Sequence, residues 1–307
     1  MALFFEGLHC LERISMIDLH VHSNKSDGSL SPTQLVELAA EKKLSAFALT
    51  DHDTTDGLDE AMEAAARYNA SLAHDAGNKS PLEVIPGIEF STEYQGKDVH
   101  ILGLFIDYQS PVFKEKIQAF VDSRILRNEK MCKSLSTEGI DITYEKLLAE
   151  YPCAVITRSH YARYLHEHGY VSSVREAFDR YIGDHAKHYI PREKITPVQA
   201  IELIKEVHGL AVLAHPVLYR MSDANLETLV ALLKENGLDG IEAIYSTYTA
   251  GEERQIRALA KKYDLLITGG SDFHGAVKPG LEMATGYGKL AVPEDILVKL
   301  KEALKAG

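Results

Sequence analysis

Short apolar runs recur along the chain, separated by stretches whose apolar residues fall three and four apart. The runs are "MIDLHV", "SAFALT", "EVIPGIEF", "VHILGLF", "GLAVLAH", "GIEAIY" and "LLITGGSD". Near-continuous apolar character over such lengths suits strands buried on both faces of a parallel sheet. Helices fit between them. Ser31-Pro32 reads as an N-cap followed by proline at the first helical position, with Leu35, Leu38 and Ala39 on one face. Thr196-Pro197 repeats the signal ahead of Ile201, Leu203 and Ile204. Further helical patterns run through 57–69, 223–236, 251–263 and 293–305. Repeated strand–helix units predict an α/β fold, and seven strands point to barrel-like closure.

The alternation breaks once, between residues 110 and 195. There the helical patterns "FKEKIQAFVDSRILRNEKMCKSLSTEG", "TYEKLLAEYP", "RSHYARYLHEHG" and "SVREAFDRYIG" follow one another with no convincing strand. This predicts an inserted all-helical subdomain at 110–195, with the barrel built from 16–109 and 196–307. Residues 1–15, "MALFFEGLHCLERIS", lack a basic start and a small-residue cleavage site. They read as an extension outside the core rather than a signal peptide.

Charge narrows the partners. The chain has 307 residues and a formal net charge of −12 with histidine neutral. A surface of that sign repels long duplex nucleic acid and anionic membranes. No apolar run approaches the roughly 18 residues of a membrane-spanning helix. Cys10, Cys132 and Cys153 match no zinc or redox spacing, which fits reduced thiols in a cytoplasmic protein.

Candidate chemistry gathers at the ends of the apolar runs. The first delivers His20, His22 and Asp27; the second runs into Asp51, His52 and Asp53; the third carries Glu89. The fifth ends at His215, the sixth holds Glu242 ahead of Tyr245, and the seventh ends in Asp272 and His274. The fourth departs, because His100 stands at its start. Strand period two puts His20 and His22 on one face, with Asp18. Taken singly, each motif has a plain reading as a strand end, a turn or a capping aspartate. Taken together, so many imidazoles and carboxylates at the ligand-binding face of an α/β fold are costly to bury without a cation. Nitrogen and carboxylate donors without thiolate suit Zn, Mn or Fe, and their number implies two or three divalent ions. Such clusters suit phosphate-ester hydrolysis through an activated water.

The motifs "DLHVHSNKSDG", "LTDHDTTDG", "PGIEFS", "VHILG", "LAHP" and "GGSDFHG" occur in the order found in one family. Over about residues 16 to 290 the chain resembles the polymerase and histidinol phosphatase (PHP) superfamily of metal-dependent phosphoesterases. The resemblance implies a distorted seven-stranded β/α barrel. It implies one ligand set of His20, His22, Glu89 and Asp272. Glu89 would bridge to a second set with His100 and His215, and Asp27, His52 and His274 would form a third. The insertion is similar to that of members acting on nucleoside 3′,5′-bisphosphates or trimming short RNA from the 5′ end. Arg158 and His160 match a phosphate-contacting pair of that branch. Ser159 stands where the branch commonly has proline, and Val217 where it has glycine.

The resulting expectation is a cytoplasmic hydrolase of nucleotide or short-oligonucleotide phosphoesters. Arg158, Lys187 and Arg192 would supply local positive charge, with Tyr161 or Tyr164 stacking on a base. His160 or His274 would protonate the leaving group. Asp18, Asp51, Asp53 and Glu242 would orient ligand histidines. Two alternatives remain: a histidinol-phosphate-type phosphatase and a non-catalytic metal-binding module.

Overall fold

The computed structural model describes residues 16–72, 80–152, 154–183, 186–191 and 195–306. The expected extension at 1–15, Cys10, Cys153 and Arg192 lie outside the described residues.

All seven apolar runs form strands: β1 (Met16–Val21), β2 (Ala46–Leu49), β3 (Glu83–Tyr94), β4 (Lys97–Leu104), β5 (Leu210–Leu213), β6 (Gly240–Tyr245) and β7 (Leu266–Gly270). An eighth, β8 (Val292–Pro293), is only two residues long and pairs antiparallel with the start of β1. The periodicity could not reveal so short a segment. The sheet order among the described residues is β7-β6-β5-β4-β3-β2-β1-β8. At the site end the sheet is nearly closed. His22 N–H donates to the Phe273 carbonyl at 2.9 Å, and Asp272 N–H donates to that of His20 at 2.9 Å.

One expectation is corrected. The sheet is not wholly parallel, because β4 runs antiparallel to both β3 and β5. The tight turn after Tyr94 leaves no room for a crossover helix, so the chain doubles back. This reversal resolves the exception in the motif pattern. His100 pairs across from Ser91, two residues beyond Glu89. The start of β4 therefore lies where the other strands end.

The helices follow their signals. Ser31 and Thr196 each close a capping box at the start of α1 (Pro32–Glu41) and of the helix Pro197–Glu206. Each such cap contributes about 1 kcal/mol. Leu35, Ala39, Ile201 and Ile204 pack against the strand residues Phe47, Phe90 and Leu213 in one apolar cluster. A second cluster joins Ile17, Leu19, Val212 and Ile244 to Ile296 and Leu300 of the last helix.

Between 110 and 195 no strand occurs among the described residues. The four helical patterns form α3 (Pro111–Ser136), α4 (Tyr144–Glu150), α5 (Arg158–Glu167) and α6 (Val174–Ala177), the last running into a π turn at Phe178–Ile182. Met131, Leu135, Leu147, Tyr161 and Leu165 belong to a third apolar cluster, confined to this segment.

Closure depends on one glycine. A Cβ on Gly270 would lie 2.4 Å from the His20 Cβ and 2.6 Å from its backbone nitrogen. Neither atom can yield, since His20 is held in β1. Gly270→Ala should therefore cost at least the roughly 1–3 kcal/mol typical of overpacking. Chemical denaturation checks this; a wild-type midpoint would show that β1 and β7 need no such close approach.

Candidate metal centre

The strand ends deliver their polar side chains to one buried cluster. His20, His22, Asp27, Glu89, His215, Asp272 and His274 are all less than a tenth exposed. His52 and His100 complete it at its more open side. Ligand atoms of His22, Asp27, His52 and His274 lie within 4.8 Å of one another, as do those of His20, His22 and Glu89, and those of His52, Glu89 and His100.

Glu89 is the centre of the arrangement. Its Oε2 faces His20 Nε2 at 3.2 Å, His22 Nε2 at 3.1 Å and His52 Nδ1 at 3.2 Å. Its Oε1 faces His100 Nδ1 at 2.7 Å and His215 Nε2 at 3.0 Å. Each oxygen thus serves a different group of imidazoles, the disposition of a bridging carboxylate. Backbone pairing fixes it: Glu89 N–H donates to Asp51 at 3.1 Å, and its carbonyl accepts from Asp53 N–H at 3.0 Å.

The protonation pattern tests whether the residues fit cations. His20 Nδ1 lies 3.1 Å from the Glu242 carboxylate, which can only accept, so Nδ1 carries the proton. In the neutral ring the other nitrogen, Nε2, would point its lone pair at His22 Nε2 (3.1 Å) and Asp272 Oδ1 (3.6 Å). His22 Nε2 is 3.3 Å from the same oxygen. His274 Nδ1–H donates to the Asp272 carbonyl at 2.8 Å, which turns its bare Nε2 toward Asp27 Oδ1 at 3.2 Å. That Asp27 oxygen has no hydrogen-bond partner. Acceptors facing acceptors repel unless a cation stands between them. Separations of this size are those of ligand atoms about 2.1 Å from a shared centre. The residues fit divalent ions.

The electrostatics say the same. Burial opposes charging His20, yet the carboxylates of Glu242, Glu89 and Asp272 outweigh it and raise its pKa well above the ordinary value. His22 likewise rises against burial to about 9, through Asp272 and Glu89. Burial disfavours ionised Glu89, but the imidazoles of His52, His20 and His100 hold its carboxyl well below the usual range. Burial itself lowers His52 and His274. The centre draws in positive charge, and metal binding would replace the protons.

Supporting residues differ in part from expectation. Glu242 contacts the His20 ring at Nδ1 and also accepts from His215 N–H at 2.8 Å. Asp18 and Asp51 hold backbone rather than a ligand ring, and Asp18 also accepts from His20 N–H at 3.3 Å. Asp18 accepts from Ser271 N–H (2.8 Å) and Ala284 N–H (2.7 Å), fixing the turn before Asp272. Asp51 accepts from Ser23 and Ser26, shaping the loop between His22 and Asp27. Asp53 pairs with Arg124. Tyr245 and Lys278 each donate to Asp272 Oδ2 at 2.6 Å, leaving Oδ1 for the histidines.

A pocket opens beside His52, Asp27 and His100. Its far wall comes from the insertion and carries Arg124, Arg127 and Arg158, with Phe178 and Tyr189. Arg158 donates to Asp98 at 2.6 Å and lies 5.4 Å from the Tyr189 ring centroid. Other expected substrate residues are elsewhere. His160 is buried, accepts the Thr157 N–H at Nδ1 (2.9 Å) as part of a capping box, and is pushed down to about 4 by burial. Tyr161 is fully buried, and its hydroxyl donates to the Asn128 carbonyl at 2.8 Å. Tyr164 is buried too and donates to Asp141. Neither ring offers a face to a base, because helical spacing turned both into the insertion's core. Lys187 is exposed and paired with Glu138. Arg124 and Arg127 went unnoticed in the sequence. The available signal was their i,i+3 spacing on the α3 face that also buries Ile117, Met131 and Leu135.

The PHP domain family profile matches residues 18–305. A 5′-3′ exoribonuclease of Haemophilus influenzae is 36% identical over 84% of this chain and 89% of its own length. A 3′,5′-nucleoside bisphosphate phosphatase of Chromobacterium violaceum is 31% identical over 87% and 90%. A solved amidohydrolase structure from Chromobacterium violaceum, with bound sulfate and no metal, superposes with a TM-score of 0.80 at 30% identity, covering 95% of this chain and 96% of that one.

Because Glu89 faces two groups of imidazoles, Glu89→Gln should strip ions from both, while His215→Ala affects only one. Metal per folded chain, measured by inductively coupled plasma mass spectrometry, should be lower in Glu89→Gln than in His215→Ala; the reverse order would contradict the bridge. Glu242→Gln should weaken metal affinity about 10–100-fold through the loosened His20 ring.

Proposed function

The chain belongs to the PHP domain family as a metal-dependent phosphoric ester hydrolase, and we propose that it acts on phosphoesters of nucleotides or short oligonucleotides. The observation that carries this reading is one pocket lined by both cluster residues and arginines. Asp27, His52 and His100 of the cluster line it together with Arg124, Arg127 and Arg158, and with Phe178 and Tyr189; Arg124 and Arg158 are ion-paired there with Asp53 and Asp98. A phosphorylated ligand of an acidic protein needs local positive charge, and the pocket's arginines together with ions in the cluster would supply it.

In this reading His20, His22, Glu89 and Asp272 would hold one ion, Glu89 with His100 and His215 a second, and Asp27, His52 and His274 a third where three bind. The donors suit Mn, Zn or Fe, and two or three ions. Bound there, such ions supply Lewis acidity toward a water and toward the oxygens of the ester. The chain's own groups do the rest. Arg158, at the first turn of α5, faces the phosphoryl oxygens and offsets their developing charge. Arg124 and Arg127 hold a second phosphate, and Phe178 and Tyr189 flank the base. His160 supports the α5 N-terminus behind Arg158 and acts through it. Residues 110–195 then serve as the substrate-binding subdomain, and 16–109 with 196–307 as the catalytic barrel.

The several arginines lining the pocket favour a nucleotide over histidinol phosphate, which has no second phosphate to occupy Arg124 and Arg127. An intact ligand set opening onto a pocket favours catalysis over a metal-binding module without activity. No described helix is long and apolar enough to cross a membrane. A cytoplasmic location suits the buried Cys132 thiol.

The test is a substrate panel with and without chelator: a nucleoside 3′,5′-bisphosphate, a mononucleotide, short 5′-phosphorylated RNA and histidinol phosphate. Phosphate release from nucleotide substrates should vanish in chelator and return with Mn²⁺ or Zn²⁺. Undiminished activity in chelator, or preference for histidinol phosphate, would overturn the reading. Arg158→Ala should lower kcat/KM by about 10²–10³, the scale of losing one charge-stabilising donor.

A further inference from the structure

Asp53 follows the candidate ligand His52 in the chain. Its two carboxylate oxygens work in different directions. Oδ1 accepts the Ser91 N–H at 2.9 Å, two residues past Glu89 on β3. Oδ2 pairs with the guanidinium of Arg124 on α3. Both partners in this ion pair are almost wholly buried, with side chains 3% and 6% exposed. The Ser91 hydroxyl accepts from the same guanidinium nitrogen at 3.4 Å. The Asp53 backbone takes a left-handed φ of +54°, rare for a residue with a side chain. Strain of that kind persists where surrounding contacts demand it. Here it aims one carboxylate from the barrel's floor at a helix of the insertion.

We propose that Asp53 is a positioning residue for substrate specificity: it locks Arg124 in the pocket wall at a fixed distance from the metal-ligand strand. The proposal rests on the reading that Arg124 meets a second phosphate. The lock ties three things together. His52 precedes Asp53 in the chain, the Asp53 N–H bonds the Glu89 carbonyl, and the Asp53 carboxylate holds Arg124. The spacing between the cluster and the arginine is thereby built into one residue. A ligand with two phosphates at matching separation gains from it, whereas one with a single phosphate at the cluster does not. The contrast with Arg158 is physical. Its partner Asp98 is 29% exposed and the arginine 19%, so that pair is more open to water than the Arg124–Asp53 pair. The buried Arg124 pair is fixed in place before substrate arrives.

The experiment compares kcat/KM for a nucleoside 3′,5′-bisphosphate and for the corresponding nucleoside 3′-monophosphate, with metal content measured on each preparation. Asp53→Asn keeps an acceptor for Ser91 but removes the charge facing Arg124. It should retain metal and monophosphate turnover within about threefold while the bisphosphate preference falls at least tenfold, mainly through KM. A destabilised fold alone would lower both substrates together. Arg124→Met should erase the same preference, and the double variant should be no worse than Arg124→Met alone, because Asp53 acts through Arg124. Additive losses, or a full preference in Asp53→Asn, would overturn the proposal. Should Asp53→Asn not fold, Asp53→Glu, which displaces the charge by one methylene, should lower the ratio, and an undiminished ratio overturns it. If wild type shows no bisphosphate preference, or Arg124→Met leaves it intact, the underlying reading of Arg124 fails instead.

Discussion

Acceptors facing acceptors in a dry site are the constraint on which this structure depends. Bare imidazole nitrogens and carboxylate oxygens stand about one metal-ligand edge apart around Glu89, with few protons to share. Such a cluster is strongly unfavourable unless cations or borrowed protons fill it. The rise of His20 and His22 shows the borrowing. Much of the surrounding architecture exists to hold these groups against their repulsion. Gly270 lets β7 approach β1, Asp18 and Asp51 fix the flanking loops, and Tyr245 with Lys278 secures one oxygen of Asp272.

The insertion is tied to this cluster at several points. Thr157 donates to Asp27 at 3.2 Å, Arg124 pairs with Asp53, and Arg158 pairs with Asp98. Each barrel partner is itself a candidate ligand or lies within two residues of one. The insertion and the candidate metal centre are thus joined directly, although they come from segments far apart in sequence. The arginines would be wasted on a surface patch, where water and salt screen them. In the pocket beside the candidate metal centre they line the same space as Asp27, His52 and His100.

The barrel strands, the helical insertion and the cluster residues were legible because each carries a local signal. Apolar runs mark buried strands, Ser31-Pro32 and Thr196-Pro197 mark helix starts, and a His-X-His pair on a strand points two rings one way. What stayed hidden was relational. The antiparallel course of β4 is set by a tight turn, and only in the fold does it bring His100 level with Glu89. Two-residue β8 has no period to detect. Tyr161 and Tyr164 attracted attention as rings, but burial in the insertion's own core claimed them. Arg124 and Arg127 sat unmarked on a long helix, since a charged pair at helical spacing reads as solvated surface until its neighbours are known.

The central claim is that Glu89 bridges divalent ions held by the converging histidines. Anomalous diffraction from crystals grown with Mn²⁺, recorded at the manganese edge, tests it most directly. The account predicts at least two peaks, each within bonding distance of a different Glu89 oxygen, one beside His20 and His22 and one beside His100 and His215. A single ion remote from Glu89, or no ion in the cluster, would contradict it.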